Sequence, residues 1–270
     1  VEAKNHDFFD ASDLVKAIET SFVRSWMPFG RLPGAILHDG LDMIWFTTGI
    51  QESLLNAVLC TQIEPSEIDA RLSSMISSFH KRNLPVSWYV GPSTRPQNLG
   101  NLLMSYGFTL ADVSSGMAVD LVHLPNKSID VPGLVIKQAD TVESMKKWIE
   151  IFKEGFDMSG DFIDAYTHVF ATPTDLEIVD YHYLGTLDGH PVASLTLSFD
   201  QGIANIYDVA TIPTFRRRGI ATAMLLTALL DARTSGYRIG VLQATKSGIK
   251  VYRRVGFLDY CTFERYIFDS

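Results

Sequence analysis

The sequence predicts an α/β protein built from two tandem copies of one strand-and-helix arrangement, and three observations carry that reading. Strand and helix alternate from Leu134 to Phe268, and a fainter version of the same order runs from Met43 to Leu121. Tyr106-Gly107-Phe108 mirrors Val255-Gly256-Phe257 near the end of each copy. Between the copies, Leu124 to Gly133 holds two prolines and a glycine, a break that sets domain boundaries at 1–125 and 134–270.

In the first copy, Met43 to Thr48 and Leu54 to Gln62 read as strands, Ser66 to Lys81 as a helix and Val86 to Val90 as a strand. Pro96 to Tyr106 follows as a helix and Gly116 to Leu121 as a strand. In the second, Leu134 to Lys137 is a short strand. Thr141 to Lys153 is an amphipathic helix, with Met145, Trp148, Ile149 and Phe152 on one face. Tyr181 to Phe199 is a hairpin turning at Asp188-Gly189, a pair that tolerates the positive φ of a tight turn. Ile203 to Ile212 is a strand, and a helix then runs to about Arg233 before Gly236. The chain continues with a strand at Ile239 to Gln243, a helix at Ser247 to Arg254 stopped by Gly256, and a strand at Thr262 to Phe268.

Composition narrows the function. Of the 270 residues, 46% are hydrophobic, 11% aromatic and 20% charged, enough apolar material to exclude a disordered chain. Lys plus Arg number 23 against 31 for Asp plus Glu, and the net charge of −8 argues against a nucleic-acid partner. Cys60 and Cys261 form no CxxC pair, which excludes a disulfide framework or zinc site and fits a reducing cytoplasm. Val1 to Asp10 carries no export signal. Met224 to Leu230, the longest kind of apolar run, falls far short of the roughly 20 residues that span a bilayer, so no membrane is expected. His6, His38, His80, His123, His168, His182 and His190 show no metal-ligand spacing. Serine-hydrolase elbows and nucleotide-triphosphate loops are absent as well.

The most informative segment is Arg216-Arg-Arg-Gly-Ile-Ala221, at a strand-to-helix junction after Pro213. Such a junction offers free N–H groups to an anion, although the residues alone also fit a solvated basic turn. With Val209-Ala-Thr-Ile-Pro213, Gln243-Ala-Thr245 and Tyr252-x-x-x-Gly256-Phe257, the second half resembles the GNAT superfamily of acyl-CoA-dependent N-acetyltransferases. The first half resembles the degenerate extra copy of tandem members. It has Ile63-Glu64-Pro65-Ser66-Glu67 where the second has Arg216 to Ala221, so no acyl-CoA site extends to it. Its expected role is to cover one side of the sheet and wall a substrate cleft.

The resemblance implies an α+β GNAT-like fold in which each domain is a mixed, mostly antiparallel sheet flanked by helices. It implies that Arg216, Arg217, Arg218, Gly219, Ile220, Ala221 and Thr222 hold the pyrophosphate of acetyl-CoA. Val209, Ala210 and Thr211 would offer backbone groups to the pantetheine arm, with Thr245 and Tyr252 completing the coenzyme site. Tyr252 would also protonate the departing thiolate, or else be a core tyrosine under the Gly256 stop. Many members carry a glutamate on the preceding strand. Here Asn205 falls near that position, and Asp208 is the nearest carboxylate, either a general base or a hydrogen-bonded strand-end aspartate. Glu154, Asp157, Asp161 and Asp164 would form an acidic rim for a cationic amine or a solvated face, and Phe156, Met158 and Phe162 would line the pocket or close it. The expected activity is transfer of an acetyl group to a primary amine of a small molecule or peptide, without metal. A non-catalytic acyl-CoA-binding protein is the alternative.

Overall fold

A computed structural model describes residues 10–171 and 177–269. The sequence reading of the first nine residues, His6 included, lies outside the described residues.

The first half opens with helix α1 (Ala11–Trp26), whose N-terminus is capped by Asp10 accepting from the Asp13 N–H and whose Leu14, Ile18 and Phe22 are buried. Strands β1 (Ile36–Asp39), β2 (Met43–Thr47) and β3 (Asn56–Thr61) follow, then helix α2 (Ile68–Arg82), strand β4 (Val86–Val90), helix α3 (Leu99–Ser105) and strand β5 (Thr109–Asp120). Neither α1 nor β1 was anticipated, and β5 is much longer than the strand expected at Gly116 to Leu121.

The second half runs β6 (Leu134–Gln138), α4 (Val142–Phe156), α5 (Gly160–Ala171), β7 (Val179–Leu187), β8 (His190–Asp200) and β9 (Ile203–Thr211). It ends with α6 (Ile220–Thr234), β10 (Ile239–Ala244), α7 (Ile249–Val255) and β11 (Leu258–Phe268). A capping box between Thr141 and Ser144 starts α4. The β7–β8 turn uses Asp188 at φ 50° and Gly189 at φ 82°, the positive values expected of that pair.

The mixed, mostly antiparallel α/β architecture is as expected, and the two halves are joined in one 11-stranded sheet of order β1-β2-β3-β4-β11-β5-β10-β9-β8-β7-β6. Each half contains a parallel pair joined by a helix, β3 with β4 and β9 with β10. Beside each pair lies the last strand of the other half: β11 pairs with β4, and β5 with β10. The sheet therefore does not divide at the segment between 125 and 134.

The parallel pairs differ in how they end. β9 and β10 pair only at Ala204–Gly240, Asn205–Val241 and Ile206–Leu242, then diverge toward their C-terminal ends. In the first half the corresponding mouth is stitched shut. The Arg95 N–H donates to Thr61 O at 2.9 Å, the Ile63 N–H to Arg95 O at 3.2 Å, and Trp88 Nε1 to the Thr61 hydroxyl at 3.0 Å.

Helix α6 covers one face of the second-half sheet, burying Ile220, Met224, Leu225 and Leu229 against Leu195, Leu197 and Ile206. On the other face, α1, α4 and α5 pack an aromatic-rich cluster that includes Phe22, Phe29, Trp148, Phe152, Phe162 and Tyr166. No helix among the described residues is long and apolar enough to cross a membrane.

Candidate active site

The opening between β9 and β10 leads into a cavity of about 1580 Å³, lined by residues from both halves. Its two ends differ in chemistry.

The first end lies at the start of α6. Arg217 at φ 63° and Gly219 at φ 83° are both left-handed, a turn that aims successive N–H groups to one side. Within the described residues, the N–H groups of residues 217 to 222 make no hydrogen bond; the first helical bond is from Ala223 N–H to Gly219 O at 3.0 Å. An uncapped helix start of this kind suits an anion. Arg217, Gly219, Ile220, Ala221 and Thr222 line the cavity, with Val209, Ala210 and Thr211 from the free end of β9 and Thr245 beyond β10.

Two of the three arginines are engaged elsewhere. Arg216 Nε donates to Thr211 O at 2.9 Å and its Nη2 to Gly155 O at 3.2 Å, tying the turn to β9 and α4. The Arg218 guanidinium lies over the Phe215 ring, 5.0 Å from its centroid, and donates to Thr214 O. Arg218 does not line the cavity.

Tyr252 stands on α7 and lines the cavity. A Cβ on Gly248 would sit 2.8 Å from its ring, so the bare glycine lets the ring lie flat against the chain. Its hydroxyl has no partner among the described residues, and burial pushes its pKa up to about 12, which keeps it a proton donor.

The second end has a polar floor on β7, β8 and β9, where Asp180, His182, Thr196, Ser198, Asp200, Asn205 and Asp208 line the cavity. A bulge between β8 and β9 leaves Asp208 at φ 56°. The Ser194 hydroxyl braces it, donating to Asp208 O at 3.0 Å. The Asp208 carboxylate accepts at Oδ2 from the Tyr166 hydroxyl at 2.5 Å and from the Thr196 hydroxyl at 2.8 Å. Burial raises its pKa to about 6 against those bonds, which act to lower it. His182 lies 3.0 Å from the Thr196 hydroxyl, and desolvation pushes its pKa down to about 4, so the ring is neutral at pH 7. Asp180 is raised by burial, whereas Asp200 forms a two-point ion pair with Arg24 of α1.

Asn205 is 1% exposed, with its Nδ2 donating to Ser198 O at 3.4 Å and its Oδ1 unpartnered. The first half supplies a wall to this end through Phe22, Ser25 and Trp26 of α1 and Phe29 beyond it, and Tyr207 donates to Ser21 O at 3.1 Å.

Phe156, Met158 and Phe162 line the cavity. The acidic rim does not form there: Glu154, Asp157, Asp161 and Asp164 are all exposed and outside the lining, because they occupy the solvent faces of α4, α5 and their connection. The acidic groups of the cavity are instead Asp180, Asp200 and Asp208. Two of these, with Tyr166, Thr196 and His182, were not singled out from sequence. The available signal was the alternation Ser194, Thr196, Ser198, Asp200, a polar face of a strand that the structure buries. Among the described residues no group of three or more His, Cys, Asp or Glu could hold a metal ion.

A parallel pair diverging onto an uncapped helix start defines a class of α/β folds that grip a phosphate-bearing ligand at strand ends. Residues 145–257 match the family model of the Acetyltransferase (GNAT) family. The whole fold is similar to that of a GCN5-related N-acetyltransferase from Kribbella flavida, at TM-score 0.68 and 16% identity, covering 92% of this chain and 96% of that one. A GCN5-related N-acetyltransferase from Sphaerobacter thermophilus matches at TM-score 0.64 and 15% identity over 85% and 81%. A tandem GNAT protein from the clavulanic acid biosynthesis pathway matches at TM-score 0.62 and 14% identity over 97% of both chains. None of the curated proteins compared with the chain matches it.

Proposed function

We propose that the protein is an acetyl-CoA-dependent N-acetyltransferase that moves an acetyl group to a primary amine by direct attack in a ternary complex. The observation that carries this reading is the pair of proton-handling groups on one cavity: Asp208, raised to about 6, and Tyr252, raised to about 12. The residues present fit acetyl-CoA, since the free N–H groups of 217 to 222 and the side chain of Arg217 suit its pyrophosphate. When bound, acetyl-CoA supplies a thioester, an acyl group already activated toward an amine.

The roles divide as follows. Asp208 accepts a proton from the incoming ammonium through Oδ1, since Tyr166 and Thr196 occupy Oδ2. The neutral nitrogen forms a bond to the carbonyl carbon as the carbon–sulfur bond breaks. Backbone N–H groups at the free end of β9 stabilise the charge that develops on the carbonyl oxygen. Tyr252 gives its proton to the sulfur, and the second nitrogen proton restores the phenol through solvent. No serine or cysteine nucleophile takes part. Residues 1–125 and 134–270 are, on this reading, two copies of one unit, of which only the second keeps a coenzyme site.

The test is thiol release from acetyl-CoA across a panel of amines, with wild type beside Tyr252→Phe. Removal of a general acid lowers kcat by about 10² or more while coenzyme affinity persists. Coenzyme binding without release from any amine would favour a non-catalytic acyl-CoA-binding protein.

A further inference from the structure

The acceptor end of the cavity has a chemistry of its own. Its walls are aromatic: Trp26 and Phe29 come from the first half, Phe162, Tyr166 and Phe170 from α5, and Phe156 from the end of α4. These rings meet one another tilted or edge-on, Trp26 with Phe29 at 5.5 Å, Phe29 with Phe162 at 5.8 Å and Tyr166 with Phe170 at 4.4 Å. A flat ring enters such a frame through the same offset and edge contacts.

The charges are one-sided. Asp180 and Asp208 have no cationic partner among the described residues, while Arg24 cancels Asp200. The arginines that line the cavity, Arg216, Arg217 and Arg254, belong to the coenzyme end, and His182 is neutral. A ligand carboxylate here would be desolvated beside like charges with no counterion. A ligand ammonium finds Asp208 and the faces of aromatic rings.

A second, independent observation fixes the far end. Asn205 Oδ1 is a buried acceptor without a donor, and a buried polar atom of this kind is costly unless something donates to it. It lies three residues back along β9 from Asp208, about 10 Å away at strand rise.

We propose that this end takes a primary amine joined to an aromatic body that carries a hydrogen-bond donor at its other end and bears no carboxylate. The ammonium faces Asp208, the ring packs among Trp26, Phe29 and Phe162, and the distal donor reaches Asn205 Oδ1. The inference rests on the acetyl-transfer reading above, and its test separates the two.

Thiol release is measured for tyramine, phenethylamine, hexylamine, spermidine and tyrosine, in wild type and in Asn205→Leu. Calorimetry follows tyramine binding with coenzyme A present, and acetyl-CoA affinity of the variant, with Asn205→Ala alongside, checks folding. The expected result is a kcat/KM for tyramine at least tenfold above those for tyrosine, spermidine and hexylamine. The preference for tyramine over phenethylamine collapses toward one in both Asn205 variants. Equal or faster transfer to tyrosine, spermidine or hexylamine overturns the inference and leaves the transferase reading standing. Tyramine binding without release from any amine overturns the transferase reading and upholds the compartment. Absence of tyramine binding overturns the inference outright.

Discussion

The Tyr166 hydroxyl donates to Oδ2 of Asp208 at 2.5 Å, so a helix of the cavity wall holds the one carboxylate that sits on the β9 bulge. Thr196 donates to the same oxygen, which leaves Oδ1 turned to other work. Both bonds favour the ionised form. Tyr166→Phe removes one of them, and the Asp208 pKa rises from about 6. The acid limb of the pH profile of kcat/KM, where activity falls with falling pH, then moves to higher pH by about one unit. An unchanged limb would mean that Asp208 is not the group titrating.

Stability should move opposite to activity at the same carboxylate. Its folded pKa of about 6 lies above the ordinary 3.8, so the folded state binds the proton more tightly than the unfolded one. Its favourable contribution is complete below 3.8 and is lost as pH rises through 6. Asp208→Asn keeps the shape without the buried charge. At pH 8 the variant is more stable than wild type by about 1 to 3 kcal/mol, and at pH 4 that advantage is gone, while turnover is lower throughout. Urea unfolding at the two pH values checks the sign.

Gly219→Glu tests the coenzyme end. The nearest atoms to a Cβ there are 3.5 Å away, so the new side chain has room, but φ is +83°. The backbone strain is about 1 to 3 kcal/mol, which a cooperative fold survives. The carboxylate would stand among the free N–H groups that the proposed function assigns to the coenzyme pyrophosphate. Calorimetry should show loss of acetyl-CoA binding with thermal unfolding still cooperative. Unaltered affinity would remove the coenzyme from this turn.

Gly155→Ala sets two effects against each other. Alanine is worth about 1 kcal/mol over glycine inside a helix. Here, however, the new Cβ would lie 2.4 Å from Ala210 Cβ, and neither backbone can yield cheaply. Overpacking of this kind costs about 1 to 3 kcal/mol. The expected outcome is net destabilisation and a raised KM for acetyl-CoA, because Gly155 O also anchors Arg216.

Much of this was legible because local rules govern it. The Asp188-Gly189 turn, the Gly256 helix stop and the Arg216 to Ala221 junction follow from short-range conformational preferences, and they carried the coenzyme end. Asp208 was named because only one carboxylate lies on that stretch of strand. The acceptor end stayed hidden for a different reason. Thr196, Ser198 and Asp200 alternate as a solvent-facing strand would, and only the distant packing of α1 and α5 turns that face inward. The Asp10 cap and the Leu14, Ile18, Phe22 spacing of α1 went unread in the sequence, and nothing local says that this helix roofs a site built by the other half.

The exchange of last strands has a consequence for how the chain is made. β4 has β3 on one edge and gains its neighbour on the other only from β11, whose pairing runs from Glu264 with Val90 to Phe268 with Val86. During synthesis the first half therefore waits, with an unpaired strand edge, until residue 268 has left the ribosome. Such an edge is open to foreign strands. The order of translation thus makes the first half the vulnerable one, and a nascent chain paused before β11 is the species for which a chaperone would matter most.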